Sequence, residues 1–267
     1  LDDNRLGKKP KEDKIYGISS AYALFESRPD DIIRVYVRKG EEGRFKDILS
    51  EMARRRVLYR LVPNEEMLKI SESTHHEGIC IITHQKRLTP LSSFFAELDA
   101  LTDNSSTNDM PILLLDGISN PHNIGAILRT AAFYGVRFVL LHSESRINLS
   151  GSLARVSEGG SEKVYFSKVN DVERIIKEFK DREYVLLASE VQDAAEFNAT
   201  LYSEKLRGNK KIVLILGNEG LGVSSYLREN ADFRVSIRGI GEIESLNVSV
   251  STGVFLDSFF RRNQSHV

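Results

Sequence analysis

The chain of 267 residues has no tryptophan, one cysteine, three methionines and six prolines. A lone thiol has no partner for an internal disulfide, so cross-linking is excluded as the source of stability and the sequence suits a reducing compartment. That cysteine, Cys80, stands inside the apolar run GICIIT and reads as a small buried hydrophobe rather than a reactive thiol. No apolar run approaches the roughly 18 residues of a membrane-spanning helix, and a cytoplasmic location is expected. An excess of charge of one sign is also missing: 37 basic side chains face 38 acidic ones, for a formal net charge of −1. There is no global pull toward nucleic acid, and any phosphate contact must come from a local basic patch. The opening LDDNRLGKKPKEDK has no Met and no signal-like apolar core, and reads as the start of a trimmed piece of a longer protein.

What is present is enough apolar residue, 41% of the chain, for a sizeable core in one large domain or two ordinary ones. Residues 1–13 are charged and turn-rich and read as a flexible tail. Residues 14–86 read as a small α/β module. In it, IYGISSAYALFES turns into a helix with Ala21, Leu24 and Phe25 on one face. DIIRVYVRKG alternates Ile33, Val35 and Val37 as a half-buried strand. RFKDILSEMARRRV spaces Phe45, Ile48, Leu49 and Met52 helically, with Arg54, Arg55 and Arg56 opposite. LYRLVP and EGICIITHQK read as strands, and NEEMLKIS as a short helix capped by Asn64. Residues 87–109 read as a linker carrying one short amphipathic helix. From 110 to 267 strands alternate with helices, and PILLLDGI and KKIVLILG are continuously apolar, the pattern of parallel strands covered on both faces.

In open α/β sheets ligands bind beyond the carboxyl ends of the strands, and three loops there are loaded. DGISNPHNIGAILRTA carries Asp116, Asn120, His122 and Asn123 before a helix holding Arg129; Asn120 equally suits a helix cap. His122 has no second His or Cys at ligand spacing, so no metal is expected. LILGNEGLGVS places Glu219 among Gly217, Gly220 and Gly222. It lacks the Lys-Ser/Thr of a P-loop, and a carboxylate at a buried strand end needs a partner or a purpose. GEIESLNVSVSTGVFL crowds Glu244, Ser245 and Asn247 at the start of an apolar helix, where a plain N-cap is the simplest reading.

Taken in order, NPHNIGAILRTAAFYG, LILGNEGLGVS and SIRGIGEIESLNVSVSTGVFL resemble the three motifs of the SpoU (TrmH-like) branch of the SPOUT RNA 2′-O-ribose methyltransferases, over about residues 110–263. IYGISSAYALFES and HHEGICI are similar to the small substrate-binding domain that precedes the catalytic domain in several members. The resemblance implies a fold: an α/β chain with a C-terminal parallel-sheet SPOUT domain, its end threaded as a deep trefoil knot, and a small N-terminal α/β substrate-binding domain. It implies S-adenosylmethionine as cofactor, bound at Leu216, Gly217, Ile237, Leu246 and Asn247. It implies a reacting side lined by Asn123, Arg129, Glu219, Ser245 and Asn247, RNA (tRNA or rRNA) as substrate, and a homodimer paired through the first and last helices of the catalytic domain.

The implied reaction displaces a methyl group from a sulfonium onto a ribose 2′-hydroxyl, a poor nucleophile that gains most from alignment. A guanidinium keeps its proton, so Arg129 suits a clamp on phosphate and developing alkoxide better than a base. One departure stands out: relatives commonly have Ile-Pro-Met where this chain reads Ile237-Arg238-Gly239, which bears on cofactor affinity. Gly160 replaces an alanine of the common pattern, a mild change. Arg54, Arg55, Arg56 and Arg60 form the best basic cluster of the N-terminal module, a solvated face or a phosphate contact. Lys8, Lys9, Lys11 and Lys14 could add an electrostatic arm. Tyr16, Tyr22 and Tyr36 read as core, with base stacking as the alternative. The rival function is a SPOUT-fold RNA-binding protein with weak or lost methyl transfer. A dinucleotide enzyme is disfavoured, because no Gly-x-Gly-x-x-Gly opens the first βα unit.

Overall fold

The structure, a computed structural model, describes residues 11–102, 110–142, 151–191, 194–197, 206 and 211–264. In chain order the elements are β1 (Glu12–Tyr16), α1 (Ile18–Ser27), β2 (Ile32–Arg38), α2 (Lys46–Arg54), β3 (Leu58–Val62), α3 (Asn64–Ser71) and β4 (Ile79–His84). There follow α4 (Leu91–Thr102), β5 (Ile112–Asp116), α5 (Pro121–Phe133), β6 (Phe138–His142), α6 (Gly151–Val156), α7 (Gly160–Lys163) and β7 (Tyr165–Val169). The last are α8 (Val172–Asp181), β8 (Val185–Ser189), β9 (Ala195–Glu196), β10 (Ile212–Leu216), α9 (Ser225–Asn230), β11 (Phe233–Ser236) and α10 (Val248–Gln264). They form two compact units, one from the described residues of 1–87 and 148–162, the other from those of 88–147 and 163–267.

The first unit is a four-stranded sheet in the order β1-β4-β2-β3. Val35 and Val37 of β2 point into a core with Leu24 of α1 and with Phe45, Ile48 and Met52 at the start and along α2. A register shift between Ile32 and Arg34 corrects the simple alternation of β2. One extra residue flips the parity of what precedes it, so Ile32 joins Val35 and Val37, while Ile33 packs with Cys80, Ile82 and Met67 on the other side. The expected Asn64 cap is also corrected. Pro63 takes the cap position of α3, and the Asn64 side chain instead accepts a hydrogen bond from Arg38 at 3.3 Å. Tyr16 and Tyr36 pack against the second of these clusters. Tyr22 lies against Phe45 and donates its hydroxyl to the Arg44 carbonyl.

Residues 151–162 complete this same unit. Ala154 of α6 sits in the α1–α2 core, and its carbonyl accepts the buried Ser20 hydroxyl at 3.0 Å. Gly159, at φ +81°, brings its backbone so near α1 that a Cβ there would lie 2.3 Å from the Ala23 Cβ. Glu162 receives Arg28 through two hydrogen bonds of 3.0 and 3.1 Å and Lys86 at 3.2 Å.

The second unit is a seven-stranded sheet in the order β7-β6-β5-β10-β8-β11-β9, and every pairing in it is parallel. Each residue of β5 and β10 is buried, as their unbroken apolar runs predict. On one face Phe94, Phe95 and Leu98 of α4, Ile175 and Phe179 of α8, and Leu227 of α9 form one core with alternate strand residues. The helix of the expected linker therefore packs as part of this layer; residues 103–109 lie outside the described residues. On α5, Asn120 caps by accepting from the His122 amide at 2.9 Å, Pro121 takes the first turn, and Gly135 at φ +77° ends it. α10 packs along α5.

Candidate active site

The connections from β5 and from β10 leave in opposite directions along the sheet, toward β6 and toward β11. A crevice opens beyond the strand ends at such a reversal, which is where open α/β sheets hold ligands. The loop after β10 is built for it. Asn218 and Gly222 exchange backbone hydrogen bonds of 3.1 and 2.8 Å, and the Asn218 side chain accepts from Gly220 N at 2.8 Å and donates to the Gly117 carbonyl at 3.1 Å. Gly217 is forced by this return of the chain: a Cβ there would sit 2.1 Å from the Gly222 carbonyl carbon. Buried Asp116 ties the loop down, accepting from Ser224 N at 2.7 Å and contacting His142 Nδ1 at 2.7 Å.

The result lifts Glu219 toward two side chains from distant segments. Asn123, on the first turn of α5, donates through Nδ2 to Glu219 Oε1. Asn247 donates through Nδ2 to Glu219 Oε1 at 3.0 Å and to Asn123 Oδ1 at 3.2 Å. Asn247 is also the N-cap of α10: its Oδ1 accepts from Ser249 N at 2.9 Å and from Ser249 Oγ at 2.6 Å. The capping reading and the site reading of this residue are thus both realised, one by each end of its amide.

Beside this triangle lies a cleft of about 480 Å³. Leu216, Gly217, Ile237 and Leu246 line it together with Glu219 and Ser245. Arg129 stands elsewhere. It is exposed, six residues along α5 from Asn123, which is about 9 Å of rise and some 240° of rotation, and it does not line the cleft. His122 is exposed, and among the described residues no group of three His, Cys, Asp or Glu could hold a metal ion.

At the departure Ile237-Arg238-Gly239 the chain is held from outside the loop. β9 pairs with β11, Phe197 N donates to the Ser236 carbonyl at 2.8 Å, and the exposed Arg238 comes within 3.9 Å of Glu196. Sequence reasoning missed Glu190, Arg228 and Arg234, all on the cleft. The strand-end rule applied to β8 would have found Glu190. The arginine cluster of the first unit is largely neutralised: Arg54 and Arg55 pair with Glu51, Arg55 also with Asp30, and Arg60 with Glu66 at 3.2 Å.

Residues 110–257 match the SpoU rRNA Methylase family and residues 14–89 match a domain described as RNA 2′-O ribose methyltransferase substrate binding. The chain is 34% identical over 253 residues to the 23S rRNA (guanosine-2′-O-)-methyltransferase RlmB of Pasteurella multocida, covering 94% of this chain and 98% of that one. It is 31% identical over 257 residues to the uncharacterized tRNA/rRNA methyltransferase YfiF of Escherichia coli O157:H7, covering 96% and 70%. In fold it is similar to the SpoU methyltransferase AviRb of Streptomyces viridochromogenes in complex with AdoMet, with TM-score 0.74, 17% identity and coverage of 95% and 91%.

Proposed function

The chain belongs to the SpoU rRNA methylase family, and on that footing we propose that its cleft holds S-adenosylmethionine with the sulfonium turned toward Asn123, Glu219 and Asn247. The protein is an S-adenosylmethionine-dependent RNA methyltransferase acting on a ribose 2′-hydroxyl. The observation that carries the site assignment is the hydrogen-bonded triangle at the rim of the cleft.

The residues fit the cofactor. The cleft is of the size that takes a nucleoside-sized ligand. Leu216, Ile237, Leu246 and Phe255 offer apolar walls, and the loop backbones offer amides and carbonyls for an adenine. Bound there, S-adenosylmethionine supplies an electrophilic methyl group. Asn247, rigid because a helix cap fixes its amide, and Asn123 orient Glu219 and the incoming sugar edge. Ser245 lines the same rim and positions the hydroxyl. Arg129 clamps the substrate phosphate and the developing alkoxide through its planar, charged donor fork. Its distance from the triangle on its own α5 is the reason to place it in the cleft of a second copy. The apolar side chains left exposed on α5 and α10, Phe133 at 82%, Val250 at 52%, Val254 at 39% and Phe260 at 39%, support a homodimer through these helices.

Ribosomal RNA is the first substrate to test, supported by the near full-length similarity to enzymes named for 23S rRNA guanosine; tRNA is the second. The division into a substrate-binding domain at 14–86 and a catalytic domain at 110–267, joined through 87–109 and preceded by the 1–13 tail, belongs to this proposal. So do the trefoil threading of the C-terminal segment and a cytoplasmic location. Transfer of labelled methyl to total RNA, mapped through alkali-resistant linkages, tests the whole reading. Cofactor binding without transfer to any RNA would leave only the binding-protein alternative.

A further inference from the structure

We infer that Glu190 is a cofactor-positioning residue whose carboxylate accepts the ribose hydroxyls of the bound adenosyl group. The inference rests on the cleft's assignment to S-adenosylmethionine and adds a contact that none of the three sequence motifs contains.

Glu190 follows the last residue of β8, the strand beside β10 in the middle of the sheet. Its backbone is fixed there by a 2.8 Å hydrogen bond from Glu190 N to the Val235 carbonyl. Its side chain lines the cleft and is 15% exposed. One carboxylate oxygen, Oε1, is shut off from solvent and has no hydrogen-bond donor among the described residues. A bare carboxylate oxygen in such a place is costly, and it persists where a ligand completes it.

The surroundings select the kind of donor. Arg228 Nε lies 4.0 Å from Oε1, near enough to balance the charge and too far to hydrogen-bond. Arg234 lines the same cleft. What Glu190 lacks is therefore a neutral donor rather than a cation: an ammonium would meet the Arg228 guanidinium beside it, whereas a vicinal diol meets no such repulsion. Position agrees. The reacting edge belongs to the loops of β5 and β10, and β8 stands one strand further, about 5 Å from β10 and 10 Å from β5. The sugar, bonded to the sulfur through one carbon, spans that interval.

Calorimetry on the full chain tests it with two ligands, S-adenosylhomocysteine and methylthioadenosine, which keep the ribose but differ in the amino-acid arm. Glu190→Ala should weaken both by a similar factor of about ten or more. Unchanged affinity for both overturns the inference, and so does a loss confined to S-adenosylhomocysteine, which would put the carboxylate on the ammonium. In the absence of ligand, Glu190→Gln should melt at or above the parent temperature, because it removes a buried charge lacking a hydrogen bond. A fall of several degrees would mean that the fold itself satisfies Glu190 and would also overturn it. No binding of either ligand by the parent protein would sink the cleft's assignment itself, a result distinct from any of these.

Discussion

Asn247 carries two jobs on one amide, and they can be separated. Serine is as good an N-cap as asparagine, but its short side chain does not reach Glu219 and Asn123. Asn247→Ser should melt within about 1 kcal/mol of the parent, yet lose methyl transfer by roughly a hundredfold, as when a positioned donor is removed from an active site. Asn247→Ala should lose both the transfer and the cap. Equal activity in the serine variant would remove Asn247 from the chemistry. Gly217 makes a sharper case. Its missing Cβ leaves the space through which the Gly222 backbone returns, so Gly217→Ala must shift the loop that lifts Glu219. A cost of about 1–3 kcal/mol and a weakened cofactor affinity should appear together in melting and calorimetry. Cys80 is the opposite kind of residue. Burial pushes its thiol up to about 12, so thiol reagents should modify it only as the protein unfolds.

At the scale of elements, the stretch of α6 and the start of α7 is held by a carboxylate shared between two cations. Glu162 is 3% exposed, with Arg28 and Lys86 as partners. Burial alone would raise its carboxyl, but the Lys86 charge and the Arg28 hydrogen bonds outweigh burial and hold it below its usual value. A carboxyl depressed in the folded state contributes fully above its unfolded value and loses that contribution as pH falls through the folded one. Stability of the first unit should therefore decline below about pH 4.3, and Glu162→Gln should flatten that acid limb in pH-dependent melting. Glu162→Ala, which strands two half-buried cations, should cost about 3 kcal/mol. A loss below 1 kcal/mol would mean the cluster is surface decoration.

For the molecule as an assembly, the position of Arg129 has a consequence open to experiment. If its guanidinium serves the cleft of a second copy, Arg129→Ala and Asn123→Ala chains are each inactive alone. Mixed and refolded together, they should form heterodimers with one intact site and regain up to about a quarter of the parent rate, as random pairing dictates. Activity that never returns, in a mixture shown to be dimeric by sedimentation, would place Arg129 in its own chain's site. A charged residue at Val250 should give monomers without methyl transfer.

Much of this was legible in the chain. Unbroken apolar runs announced β5 and β10, because a strand covered on both faces has no polar side to alternate with. Asn120 was legible as a cap for the start of α5, because its short side chain reaches the backbone amides of the first turn. The glycines around Glu219 and the polar start of α10 marked two loops as unusual, and resemblance gave them a common purpose. Local rules reached less far wherever distant segments meet. The bulge in β2 moved Ile32 into the core without a mark in the alternation. Residues 151–162 joined the first unit in part through Glu162, a residue that reads as any surface glutamate until Arg28 and Lys86 close on it. β9, two residues long, is a strand only because β11 lies beside it.

The sequence by itself determined most of the elements, the parallel class of the sheet and the residue types offered at its strand ends, because these follow from side-chain periodicity and backbone freedom within a few neighbouring positions. Tertiary structure alone decided that Asn123, Glu219 and Asn247 share hydrogen bonds, that Arg129 does not line the cleft beside them and that Glu190 Oε1 has no hydrogen-bond donor among the described residues. The physical reason is that hydrogen bonding and burial act over a few ångströms of space, whereas Asn123, Glu219 and Asn247 stand 28 to 124 residues apart along the chain.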